Sequence, residues 1–152
     1  MIVLLDSGPL GLVTHPYATW GPALACNQWL ERLLESGVKV HVPEIADYET
    51  RREALQRRQY NSLANLDGLI ESLTLIVITT ATLHRAAELW AQARQRGRPT
   101  ADPAALDGDA ILAAQAQLMA ESMGDTVIVA TANLGHLGLF VDARPWQEIA
   151  AP

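Results

Sequence analysis

"MIVLLDSGPLGLV", residues 1–13, poses the choice on which the fold turns. Five apolar residues that meet an acid at Asp6 are too few for a membrane span, and no basic stretch precedes them as in a secretory leader. The run therefore reads as a first β-strand ending in a carboxylate, in a protein expected in the cytoplasm and not in a membrane. Three more runs of the same kind follow: "VKVHV" at 38–42, "TLIVI" at 74–78 and "TVIVAT" at 126–131. Continuous apolar strands, as opposed to alternating ones, are those of a parallel sheet covered on both faces.

Between the strands lie segments of helical period near 20–35, 43–59, 62–72, 81–96 and 109–123. In the fourth, Leu83, Ala86, Ala87, Trp90 and Ala93 form one apolar stripe suited to packing on a sheet. The punctuation agrees, with Gly37, Gly97 and Gly124 closing helical runs and Pro43 placed to open one. "GRPTADPAALDG" is the longest irregular stretch. The order is βαβ repeated, and the expected fold class is α/β, a three-layer α/β/α sandwich around a mainly parallel sheet.

At 152 residues, with 49% hydrophobic and 18% charged residues, the chain suits a single globular domain over 1–152. Its one cysteine, Cys26, lies in an apolar helical segment and reads as a packed thiol. A net charge of −6 excludes wrapping of nucleic acid by bulk charge, so any contact with RNA or DNA must be local.

In open α/β sheets, sites form beyond the C-terminal ends of the strands. Asp6 follows the first strand, Glu44 and Glu49 follow the second, and Thr131 and Asn133 lie at and after the last. In "LDGDAILAAQAQLMA", residues 106–120, Asp107 before Gly108 reads as an N-cap. Asp109 differs, because its helical neighbours Leu112, Ala113 and Ala116 mark the face that presses on the sheet. A carboxylate turned that way is costly to bury unless a cation or strong donors meet it. Glu49, one turn beyond Ile45, can share an inward face too, while Glu44 stands nearer the strand end and competes with it. If Asp6, Asp109 and one glutamate converge, three like charges need a divalent cation, and hard oxygen donors suit Mg²⁺ or Mn²⁺. Taken singly, the residues also have plainer readings: Asp6 shaping a turn before Gly8, Glu49 pairing with Arg52, Asn133 in a left-handed turn position.

With "LLDSGPLGLV", "VPEIADYETRRE", "LDGDAILAAQA" and "VIVATANLGHL" in this order, over residues 4–137, the chain resembles the PIN-domain family, and within it the VapC-type toxins of toxin-antitoxin systems. The resemblance implies that Asp6, Glu49 and Asp109 are metal-binding acids and that Ser7 and Thr131 lend hydroxyls to the site. It also implies that Asn133 stands where many relatives have a fourth acid, an amide that brings no charge and leaves open whether one or two metals bind. The implied activity is a divalent-metal-dependent endoribonuclease leaving a 5′-phosphate and a 3′-hydroxyl. RNA as substrate, a cognate antitoxin and a homodimer are the implied partners. The alternative is a PIN scaffold of weak or no activity that binds RNA or a protein.

Other chemistries find less support. A phosphoaspartyl enzyme of the haloacid-dehalogenase kind needs an Asp where this chain has Gly8. That family and receiver domains both need a downstream lysine, yet the only lysine is Lys39, inside the second strand. No G-x-S-x-G occurs for a serine hydrolase, and His136 reads as structural or substrate-facing more than as a base. Arg51, Arg52, Arg57 and Arg58 lie on both sides of one helical run, where a solvated face competes with contact to RNA phosphate. Trp20, Trp29 and Leu33 share a helix region suited to core packing or to an interface.

Overall fold

The computed structural model describes residues 1–17, 19–96 and 103–152, the side chains of 103–105 excepted. A five-stranded sheet of order β3-β2-β1-β4-β5 is built from β1 (Ile2–Leu5), β2 (Lys39–Pro43), β3 (Thr74–Ile76), β4 (Val127–Thr131) and β5 (Ala143–Pro145). Every pairing is parallel; β1 aligns Ile2 with Lys39 on one side and with Val127 on the other. Among the described residues six helices join the strands: α1 (Ser7–Val13), α2 (Gly21–Glu35), α3 (Glu44–Gln56), α4 (Tyr60–Ser72), α5 (Thr80–Gln95) and α6 (Pro103–Met123). The expected three-layer α/β/α sandwich is thus present, with a sheet that is parallel throughout.

Side chains of a strand alternate between its faces, and here each face feeds its own core. Val3 and Leu5 of β1 join Cys26, Trp29, Leu30 and Leu33 of α2. Ile2 and Leu4 join Ala86 and Leu89 of α5 and Ala110, Leu112, Ala113 and Ala116 of α6. Cys26 is buried, which pushes its thiol up to about 12 and leaves it inert. Trp29 and Leu33 are core residues, whereas Trp20 at the start of α2 is exposed. The Trp29 ring lies 5.7 Å from that of Trp146, and its Nε1–H donates to Ile149 O at 2.8 Å, fastening the final segment over α2.

Several local expectations are corrected. Residues 7–13 form a helix that the sequence hides, since Gly8, Pro9 and Gly11 make seven residues look like a loop. Strand β5 is three residues long and ends in proline, too short for a pattern. The run at 43–59 stops at Gln56 because Arg58 takes a left-handed backbone (φ 55°), and Pro43 closes β2 and precedes the helix instead of opening it. Asp107 is not an N-cap: α6 begins at Pro103, and Asp107 lies exposed within it. The expected closure at Gly97 lies outside the described residues, as does the middle of the stretch at 97–108.

One buried polar side chain ties the layers together. Gln115 of α6 donates from Nε2 to Ile76 O at 2.6 Å, and its Oε1 accepts a longer bond, 3.5 Å, from Ile45 N at the start of α3. Gln115→Leu leaves those backbone groups without partners and is expected to lower stability by about 2 kcal/mol in urea denaturation, with little change in the slope.

Candidate active site

The strand order reverses beside β1: the chain passes from β1 to β2 on one side, and β4 later takes the other. Such a reversal opens a crevice at the carboxyl ends of the two strands concerned. Asp6 stands there, immediately after β1, with its backbone N–H on Ala130 O of β4. It is the N-cap of α1, its Oδ1 accepting from Ser7 N at 2.7 Å, so the plainer reading of Asp6 as a shaper of the local backbone is observed. Its Oδ2 accepts from the Thr131 hydroxyl at 2.7 Å. That hydroxyl also lies 2.9 Å from Asn133 O, but its one proton favours the charged acceptor. Thr131 is fully buried (0% exposed), and its hydroxyl links the Asp6 carboxylate to Asn133, whose backbone N–H donates to it at 3.0 Å.

Glu49 reaches the same place from α3. Its Oε2 accepts from Ser7 Oγ at 3.3 Å, and the same hydroxyl lies 3.5 Å from Asp6 Oδ1, which makes Ser7 a hinge between the two acids. Glu44 is spent elsewhere, accepting from the backbone N–H of Ile78 beyond β3. Of the two glutamates, the geometry therefore brings Glu49 to Asp6. Asp109 enters from α6, with Oδ2 3.3 Å from both the backbone nitrogen and Nδ1 of His136. With Asp109 ionised, the ring contact requires the proton on Nδ1.

The electrostatics are strained in the direction that three converging acids dictate. Burial pushes the Glu49 carboxyl above its ordinary range, and the Asp6 charge adds to this; Arg52, the Ser7 hydroxyl and more weakly Asp109 modulate it. Asp109 is raised as well, by burial first and by Asp6, against the pull of the His136 hydrogen bonds. Arg52 does not pair with Glu49; its guanidinium lies over the Tyr48 ring at 5.1 Å.

Two glycines are explained by this convergence. A Cβ at Gly108 would stand 2.6 Å from Glu49 Oε1, so the helix interior carries glycine where α6 passes the glutamate. Gly135 takes the left-handed turn position (φ 43°) once expected of Asn133. Asn133 caps that turn, its Oδ1 accepting from Gly135 N at 3.1 Å. Sequence reasoning missed Gly108 and the Asp109 contact of His136; helix-interior glycine beside an acid was the available signal for the first.

The chemistry of the donor set fits a hard divalent cation: three carboxylates backed by hydroxyls, and no thiolate or histidine cluster. Among the described residues, no three acidic, histidine or cysteine side chains stand together at the spacing that holds an ion. The three acids act on one another's charge without forming a finished cage.

No protein-family model and no curated protein sequence matches the chain. Solved structures do. A chain of VapBC2 from Rickettsia felis, crystallised with a DNA fragment from their promoter, superposes with a TM-score of 0.69, covering 96% of this chain and 99% of that one at 15% identity. This is the PIN-like fold. A chain of VapBC-1 from nontypeable Haemophilus influenzae gives 0.65 over 97% and 100%, also at 15% identity. The PIN-like architecture thus spans nearly the whole chain, and among the described residues no helix is long and apolar enough to cross a membrane.

Raised carboxyl groups make the folded state bind more protons than the unfolded chain, so stability falls as pH rises above the ordinary carboxylate range near 4. Without divalent cations, Asp109→Asn, which keeps the acceptor for His136 N, is expected to raise the melting temperature at pH 7 by roughly 2–4 °C. The gain should vanish as pH falls towards about 4, where the wild-type groups are protonated as well; thermal denaturation across pH checks this.

Proposed function

We propose that this chain is a divalent-metal-dependent endoribonuclease, the toxin of a toxin-antitoxin pair. The observation that carries the reading is that Asp6 after β1, Glu49 within α3 and Asp109 within α6 stand near enough to act on one another's charge, beside the point where the strand order reverses. Two of the three are raised by burial and mutual repulsion and have no paired lysine or arginine among the described residues, an imbalance that a divalent cation relieves. Asp6, Glu49 and Asp109 would hold Mg²⁺ or Mn²⁺, which when bound lowers the pKa of an attacking water and offsets charge building on a phosphate.

The chain's own groups supply the rest. Thr131 and the Ser7 amide fix the Asp6 carboxylate, and the Ser7 hydroxyl spaces Asp6 from Glu49. His136 orients Asp109. Asn133 contributes Nδ2 hydrogens, which suit a phosphate oxygen and not a cation. The two VapBC assemblies of like fold support an antitoxin as the partner, which we propose inserts against this crevice, and a cytoplasmic setting accords with both. A homodimer is proposed on the family resemblance alone. A second reading, an inactive scaffold that binds RNA or protein, is favoured by the absence of a finished ligand cage among the described residues.

Cleavage of a labelled RNA decides between them. Cutting that needs Mg²⁺ or Mn²⁺, stops with EDTA and falls about 100-fold or more in the Asp6→Asn, Asp109→Asn double variant supports the nuclease. Folded wild-type protein that binds RNA without cutting it supports the scaffold. Gly108→Ala is a finer probe: the new methyl displaces Glu49, so Mn²⁺ affinity is expected to drop about tenfold in calorimetric titration while thermal stability holds or rises.

A further inference from the structure

From Ser7 a groove leads away from the acids along α1. Its near part, about 310 Å³, is walled by Ser7, Thr14 and His15 on one side and by Thr50, Glu53 and Arg57 on the other. It opens into a second hollow of about 350 Å³ lined by His15, Tyr17, Arg58 and Tyr60. The length of α1, about 10 Å by its rise, separates this hollow from Asp6. That is the span of about three nucleotides at duplex rise, and fewer when a strand is extended.

Three features of the groove lack a structural purpose. All three tyrosines of the chain are exposed, Tyr17 at 68%, Tyr48 at 55% and Tyr60 at 64%, and two of them flank the hollow. The Tyr17 ring stands edge-on to His15, 6.1 Å between centroids, and its backbone N–H donates to His15 Nδ1. Arg58 occupies the left-handed position closing α3, with Gln59 N on Ala54 O at 2.8 Å and Arg58 N on Leu55 O at 3.1 Å. Glycine is the cheapest residue for that geometry, and among the described residues Arg58 has no ion pair that would reward an arginine there. On the wall between, Thr50 Oγ1 is buried without a hydrogen-bond partner. The carboxylate in the groove, Glu53, is met by Arg57 at 2.7 Å in an exposed pair that is weak enough to open.

We propose that this groove is a subsite for an unpaired stretch of nucleic acid, one base stacking on Tyr60 and Tyr17 and its phosphates meeting Arg58 and Arg57. It rests on the nuclease reading for RNA as the strand and names the side chains, away from the acids, that would take the strand's bases and phosphates; the strand must be unpaired there because a ring face binds a base only once the base has left its stack. Arginine at Arg58 suits phosphate or a base plane, and the −6 charge of the whole confines attraction to such local patches.

The test is binding in EDTA, so that cleavage is not required, of the full chain to a fluorescent single-stranded RNA, the DNA of the same sequence, and the RNA duplex. The single strand is expected to bind more tightly than the duplex. Tyr60→Ala should weaken it about tenfold and Tyr60→Phe hardly at all. Arg58→Gly should weaken binding severalfold and flatten the salt dependence by about 0.7 in slope, while its melting temperature rises because the strained position is relieved. Equal binding of the DNA also supports the subsite, with base and phosphate recognised and the sugar ignored. Unchanged single-strand affinity in both Tyr60→Ala and Arg58→Gly overturns the proposal even if the protein cuts RNA. No single-strand binding by the wild type overturns it too and leaves the groove to a protein partner. Binding that depends on Tyr60 and Arg58, in a protein that never cuts with metal, keeps the subsite and removes the nuclease.

Discussion

Parallel pairing of β1 with β2 on one edge and β4 on the other is the constraint on which everything else hangs. It places the end of β1 at the centre of the sheet, where Leu5 is buried and the next residue must leave the core. Asp6 is that residue, and its backbone remains tied to β4 through Ala130 O. The chain departs to opposite sides from this point, and α1, α3 and α6 each bring a side chain towards Asp6. The position of the first acid is thus a property of topology; the other two are delivered by helices packed on either face.

That delivery has an energetic cost which the surrounding groups only partly offset. Ser7, Thr131 and His136 hydrogen-bond the carboxylates, yet Glu49 and Asp109 stay raised, since burial and the Asp6 charge act on both. Hydrogen bonds of this kind set direction more than they neutralise charge. A protein that holds acids in this state trades stability for a charge waiting to be met, as functional sites commonly do. The same trade is visible at Arg58, where backbone strain is tolerated at the far end of the groove.

The layers and the main elements were legible in the sequence because parallel strands covered on both faces are uninterrupted apolar runs, as at 2–5 and 126–131. What was hidden was hidden for local reasons. Helix α1 carries two glycines and a proline in seven residues, and β5 has no room for a pattern. "DG" at 107–108 looks like the mouth of a helix, yet Gly108 is small to let Glu49 pass, and α6 starts at Pro103. Glu44 and Glu49 were inseparable by periodicity, since what divides them is the amide of Ile78, thirty-four residues from Glu44. The inward turn of Asp109 followed from its neighbours, and Leu112, Ala113 and Ala116 are indeed buried.

Gln115 joins α6, which carries Asp109, to the start of α3, which carries Glu49, and to the end of β3. Its side chain is an amide, which neither gains nor loses a proton at any pH the protein meets. The carboxyl groups of Glu49 and Asp109, on the two helices it joins, do gain and lose protons, and burial raises both. Spacing between the acid-bearing helices and the charge those helices present are therefore governed by separate atoms, so that evolution can retune one without disturbing the other.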